Sequence, residues 1–127
     1  MITEEEIKNF ITDLPDAFAD MPFEDFSATV FRRKSNKKWF GIIMPAPESY
    51  FKRYGVKTPQ DNTVLTLKCP PDLKDFLTAS FQGGILPAYH MNKTHWISII
   101  ICSSVPAEDV KKLVLLSYKS VVKEKNK

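Results

Sequence analysis

Apolar and polar positions change period several times along the chain, and each change marks an element. Ile7, Phe10, Ile11 and Leu14 recur at the i, i+3, i+4, i+7 spacing of one helix face. Thr3 followed by Glu6 has the form of a capping box, Ile2 is placed to staple onto Ile7, and Pro15 ends the helix. From Ala28 the period shortens. Val30–Phe31 and Trp39–Met44 are β-like runs on either side of a polar stretch, which predicts a hairpin with Ser35–Asn36 near its tip. Residues 46–62 read as a long connection with one helical turn around Tyr50–Tyr54. Thr63–Cys69 alternates as a third strand, and Pro70–Pro71 opens a short helix over Asp72–Ala79 with Leu73, Phe76 and Leu77 inward. Gly83–Gly84 breaks that helix. His95–Cys102 is β-branched and apolar enough for an inner strand. The closing helix starts near Pro106 and runs to about Val122, burying Val110, Leu113, Val114, Ser117, Tyr118, Val121 and Val122. The basic end, 123–127, is expected to fray.

These elements predict an α+β class: a single domain over 1–127, with an antiparallel sheet and helices packed on one face, in the order α-β-β-β-α-β-α. Alternation then assigns side chains to the two sheet faces. Leu65, Leu67 and Cys69 face the core, as do Ile97, Ile99 and Ile101. Phe40, Ile42 and Met44 form the core set of the hairpin's second strand, leaving Trp39, Gly41 and Ile43 outward. Trp39, Trp96 and Lys68 would then share the open face, unless the 46–62 connection or the 81–94 loop covers the tryptophans. A one-residue register slip inverts any of these assignments.

Composition narrows the class without fixing the chemistry. The 127 residues are 43% hydrophobic and 26% charged, as expected of an ordinary globular chain rather than a disordered or collagen-like one. Four glycines against nine prolines leave little room for a Gly-rich phosphate loop. No apolar stretch approaches a membrane span, and the acidic start MITEEE is unlike a secretory signal. A cytoplasmic monomer without membrane attachment is the expectation. Cys69 and Cys102 are lone thiols without metal or redox spacing, expected to be buried and free, and no cofactor or metal is implied.

Charge carries more information. Residues 1–25 hold eight acids and one base, while the rest of the chain holds seventeen bases and seven acids. Arg32, Arg33, Lys34, Lys37 and Lys38 crowd five cations around the hairpin turn, where mutual repulsion offers folding no gain. Such a cluster suits phosphates: a strand pair with a cationic tip can lie along a DNA groove, with Lys68 and Lys93 as further contacts. The alternative is a lysine-rich turn that only keeps the protein soluble. Lys52, Arg53 and Lys57 form a weaker second basic group.

The run Pro87–Trp96 places Tyr89, His90, Asn92, Lys93, His95 and Trp96 in a loop feeding a strand. With Trp39 it makes a candidate pocket for a small ligand or anion, or the site of an enzyme. No acid lies in the run and no nucleophile–base pair is recognisable, so no residue is assigned a catalytic role. The polar side chains of the loop could equally tie down its own backbone. Acids on the first helix offer a minor alternative, weak binding of hard cations.

Four stretches, DFSATVFRRKSNKKWFGII at 25–43, VLTLKCPPD at 64–72, ILPAYHMNKTHWISI at 85–99 and LLSYKSVV at 115–122, resemble the MmcQ/YjbR family of small bacterial proteins. The resemblance covers almost the whole chain. It implies a frataxin-like, or double-wing, α+β sandwich and a DNA-binding label that rests on fold alone. Lys38, Trp39, Phe40, Lys68, Tyr89, His90, Asn92, Lys93, His95, Trp96, Ser117 and Tyr118 fall on family-type positions, with no catalytic role attached.

Overall fold

Residues 2–21, 28–101 and 103–121 are described by the computed structural model; the terminal tail, Val122 and Cys102 lie outside them. The chain runs through α1 (Glu4–Thr12), β1 (Ala17–Asp20), β2 (Thr29–Arg33), β3 (Trp39–Pro45), α2 (Glu48–Arg53) and β4 (Thr63–Lys68). It continues through α3 (Pro71–Ser80), β5 (Ile85–Pro87), β6 (Trp96–Ile100) and α4 (Ala107–Ser120). The strands form one six-stranded sheet in the order β1-β2-β3-β4-β6-β5, every neighbouring pair antiparallel. The class is α+β as expected, with three more elements than the sequence pattern suggested.

The helices are built as the sequence dictates. Thr3 and Glu6 close the capping box reciprocally, which holds the Glu6 carboxyl below its ordinary pKa. Ile2, Ile7 and Ile11 then sit in the main core. That core also takes Phe31, Phe40, Ile43, Leu65, Leu67, Ile97 and Ile99 from the sheet, Leu77 from α3, and Val110, Leu113, Val114 and Tyr118 from α4. Three helices therefore share one sheet face. Phe76 was expected inward on α3, yet it is 64% exposed. The helix presents its Leu73–Leu77 line to the core, one turn apart, and Phe76 falls on the flank.

The opposite face is covered, contrary to the one-sided packing expected. Tyr50 and Phe51 of α2 pack on Val64, Leu86 and Ile100, and a second cluster joins Ala28, Val30, Ile42 and Met44. The expected core set Phe40, Ile42, Met44 is thus split between the faces. The reason is a bulge: Phe31 pairs with Gly41 but Arg32 pairs with Trp39, so β3 inserts Phe40 as an extra residue. Phe40 and Ile43 point to the helices, Ile42 and Met44 away from them. Gly41 lies on the helix side, where a Cβ would come within 3.3 Å of the Leu67 side chain. Alternation in β4 and β6 runs without interruption, and both core assignments there hold. Cys69 is a buried free thiol whose pKa burial raises. Among the described residues, no helix is long and apolar enough to cross a membrane.

Candidate functional site: a basic sheet end beside an aromatic pocket

Register gathers the candidate residues at one end of the sheet. Arg32 on β2 faces Trp39 on β3, and Lys68 on β4 faces Trp96 on β6. The Arg32 guanidinium lies 5.5 Å from the Trp39 ring centroid, and the Lys68 ammonium 6.0 Å from that of Trp96. The turn carrying Lys34, Lys37 and Lys38 joins two of these strands at the same end. Lys93 lies in the turn just before Trp96. Lys34, Lys37, Lys38 and Lys93 are exposed, Lys68 is half-buried, and none of the five is ion-paired among the described residues. Lys37 also reaches the Phe18 ring, 5.1 Å from its centroid.

Arg33 does not join this set. Alternation along β2 sends it to the helix side, where it is buried. Its Nε donates to Asp16 Oδ2 at 3.0 Å, its Nη1 donates to the Tyr118 carbonyl at 3.2 Å, and its guanidinium stacks 3.9 Å from the Tyr118 ring centroid. Arg32 is partly committed too, paired with Asp20 at 3.0 Å. Nor is the hairpin a free two-stranded projection. β1 flanks it, Asn36 Nδ2 donates to the Val121 carbonyl at 2.8 Å, and Lys34 N donates to the Asp16 carbonyl at 2.6 Å. The turn is a pinned rim rather than a free wing. The Lys52, Arg53 and Lys57 group belongs to the other half of the sheet, because α2 packs over Val64 and Ile100.

Asp16 anchors this rim. A hydrogen bond from Ser35 at 2.6 Å, then the Arg33 guanidinium, hold its carboxyl below the ordinary 3.8. The unfolded chain therefore binds the proton more readily, and the stabilisation is present above pH 3.8 and lost as pH falls through the folded value. Asp16→Asn should melt below wild type at about pH 6, and the gap should narrow when the pH is taken below the ordinary 3.8. A gap of equal size at both pH values would remove Asp16 from the acid limb.

Next to the basic end, Trp39, Ile42, Met44 and Pro45 of β3 meet Tyr89, His90 and Met91 across a pocket of about 450 Å³. Support for its far wall comes from below. Ser98 Oγ pairs with Thr66 Oγ1 at 2.6 Å, buried within the sheet, and accepts from Tyr89 N at 3.0 Å. The Tyr89 ring packs 5.1 Å from Tyr50, whose hydroxyl donates to the Pro87 carbonyl and whose pKa burial pushes up. His90 sits edge-on to Tyr89 at 4.3 Å, at a left-handed φ of 63°.

Of the expected pocket residues, Trp39, Tyr89 and His90 line it. Asn92, Lys93 and His95 do not: the Asn92 carboxamide accepts from Thr94 N and His95 N, so it ties the turn. Trp96 is 7% exposed, covered rather than open. Ile42, Met44, Pro45 and Met91 were not anticipated; the bulge hid the first two, and no local signal marks the others. The first-helix acids do not converge, since Glu4 pairs with Lys8 at 3.0 Å and Glu6 closes the cap. Among the described residues no group of three or more His, Cys, Asp or Glu side chains is arranged to hold a metal.

Comparison with known proteins places this arrangement in a family. The YjbR family model matches residues 12–120. The Bacillus subtilis protein YyaQ is 35% identical over 120 residues, spanning 93% of this chain and 97% of that one. Escherichia coli YjbR is 30% identical over 67 residues, 53% of this chain and 56% of its own. A Pseudomonas syringae crystal structure superposes with a TM-score of 0.81 at 29% identity, covering 95% of this chain and all of the other. A Deinococcus radiodurans structure, described as a DUF419 domain, gives 0.76 at 27% identity over 98% of this chain and 81% of the other. With its matched span running from the end of α1 to the end of α4, the chain belongs to the YjbR family.

Proposed function

We propose that this YjbR-family domain binds nucleic acid, DNA included, through the basic end of its sheet. The observation that carries the reading is the set of exposed lysines, Lys34, Lys37, Lys38 and Lys93, outside any ion pair among the described residues, around the half-buried Lys68. Ion-pairing within the protein commits Arg33 and part of Arg32 but, among the described residues, none of these five lysines. The reading rests on this charge geometry and not on any likeness to frataxin-like or double-wing folds. It implies a non-enzymatic module acting in the bacterial cytoplasm. A purely catalytic or anion-binding role for the Tyr89–Trp96 loop has less support, because its polar groups do not converge: Asn92 is spent on the turn, while His90, Lys93 and His95 are exposed.

Fluorescence anisotropy of labelled DNA across a salt series tests it. With about five phosphates contacted, log K should fall against log[salt] with a slope of about −3.5 for a single strand and about −4.5 for a duplex. Absence of binding to either at low salt would discard the reading.

A further inference from the structure

We infer that the pocket between β3 and the 89–91 loop holds an unpaired base of a single-stranded nucleic acid, its phosphates lying on the neighbouring lysines. This inference rests on the nucleic-acid reading above and adds to it a strand preference and a base site. The pocket's chemistry argues for a flat, weakly polar ring. Trp39 and Tyr89 supply aromatic surfaces, Ile42, Met44 and Met91 supply polarisable apolar walls, and His90 is the one ionisable side chain besides Tyr89 among the described lining residues. Among the described lining residues there is no Lys, Arg, Asp or Glu to hold a phosphate there.

The cations lie outside the walls. Lys38 immediately precedes Trp39, and the Arg32 guanidinium lies 5.5 Å from the Trp39 ring centroid. This is the division of labour by which single strands are held: charge follows the backbone while an aromatic face takes a base, whichever base it is. A base paired and stacked within a duplex cannot enter a recess; an unpaired one can. The volume of the site also fits, since about 450 Å³ lies within the range of small-ligand pockets. The far wall is rigid enough to serve, being fixed by Ser98 Oγ under Tyr89 and by the Tyr50 ring behind it.

The test compares a ten-residue oligothymidylate with an abasic strand carrying the same number of phosphates. The base-bearing strand should bind roughly tenfold more tightly. Trp39 and Trp96 are the two tryptophans of the chain, so a Trp96→Phe variant isolates the pocket's own fluorescence. That signal should be quenched by the oligothymidylate and not by the abasic strand. Met91→Gln, a neutral change at a half-buried loop position, should abolish the tenfold difference while leaving the melting temperature close to wild type and the abasic affinity within about twofold. Equal, salt-sensitive affinity for both strands with no quenching would overturn the base site and leave the basic surface standing. Failure of both strands to bind at low salt would instead remove the nucleic-acid reading itself.

Discussion

Replacing Lys34, Lys37, Lys38 and Lys93 together with Ala is expected to weaken single-strand binding by several hundredfold at about 0.1 M salt. Each phosphate neutralised on a single strand contributes about 0.7 to the slope of log K against log[salt], so four lysines account for nearly 3. The electrostatic gain fades as salt approaches about 1 M, and extrapolating back over a decade of salt gives the affinity loss. The loss should be similar for every base sequence, because phosphates carry no sequence information. Stability should hardly change: all four side chains are exposed and outside any ion pair of the described residues, and such substitutions usually stay within about 0.5 kcal/mol each. Anisotropy titrations with a parallel urea melt separate the two effects. An unaltered salt slope in a folded variant would show that the phosphates are met elsewhere.

Arg33→Ala should do the reverse, costing about 3 kcal/mol of stability while shifting nucleic-acid affinity little. The guanidinium is buried between β1, β2 and α4, and three contacts depend on it. These are the Asp16 ion pair at 3.0 Å, the hydrogen bond to the Tyr118 carbonyl at 3.2 Å, and the stack on the Tyr118 ring at 3.9 Å. A hydrogen bond involving a charged group contributes about 1.5–3 kcal/mol, and the lost stacking adds to it. The same truncation one residue later, Lys34→Ala, should be close to neutral in a urea melt. Arg33→Ala losing less than about 1 kcal/mol would mean that the guanidinium is not the strut between sheet and closing helix.

The contrast between these neighbours shows what the sequence could and could not convey. Helices announced themselves: Thr3–Glu6 capped α1, and the Val110–Tyr118 stripe placed α4 to within a residue or two. The alternation of β4 and β6 was equally legible because no bulge interrupts it. In β3 the extra residue Phe40 shifted the phase, an event set by pairing with β2 and invisible in the strand alone. β1 and β5 are four and three residues long, too short for a period to register, and both are edge strands held by their neighbours.

For the site, residue types were legible and their commitments were not. Five cations in a turn read alike until β1 pairs Ala17 with Arg33 and brings Asp16 against one of them. The pocket joins β3 to a loop beyond β5, so only the folded sheet assembles its walls.

The central claim, that nucleic acid meets the basic end of the sheet, is most directly tested by titrating ¹⁵N-labelled protein with a short single-stranded oligonucleotide. The account predicts amide shifts concentrated at Lys34–Phe40, Lys68 and Lys93–Trp96, with the Trp39 indole among the largest. Shifts centred instead on Lys52, Arg53 and Lys57 of α2 and its following loop, or a spectrum that does not change at low salt, would contradict it.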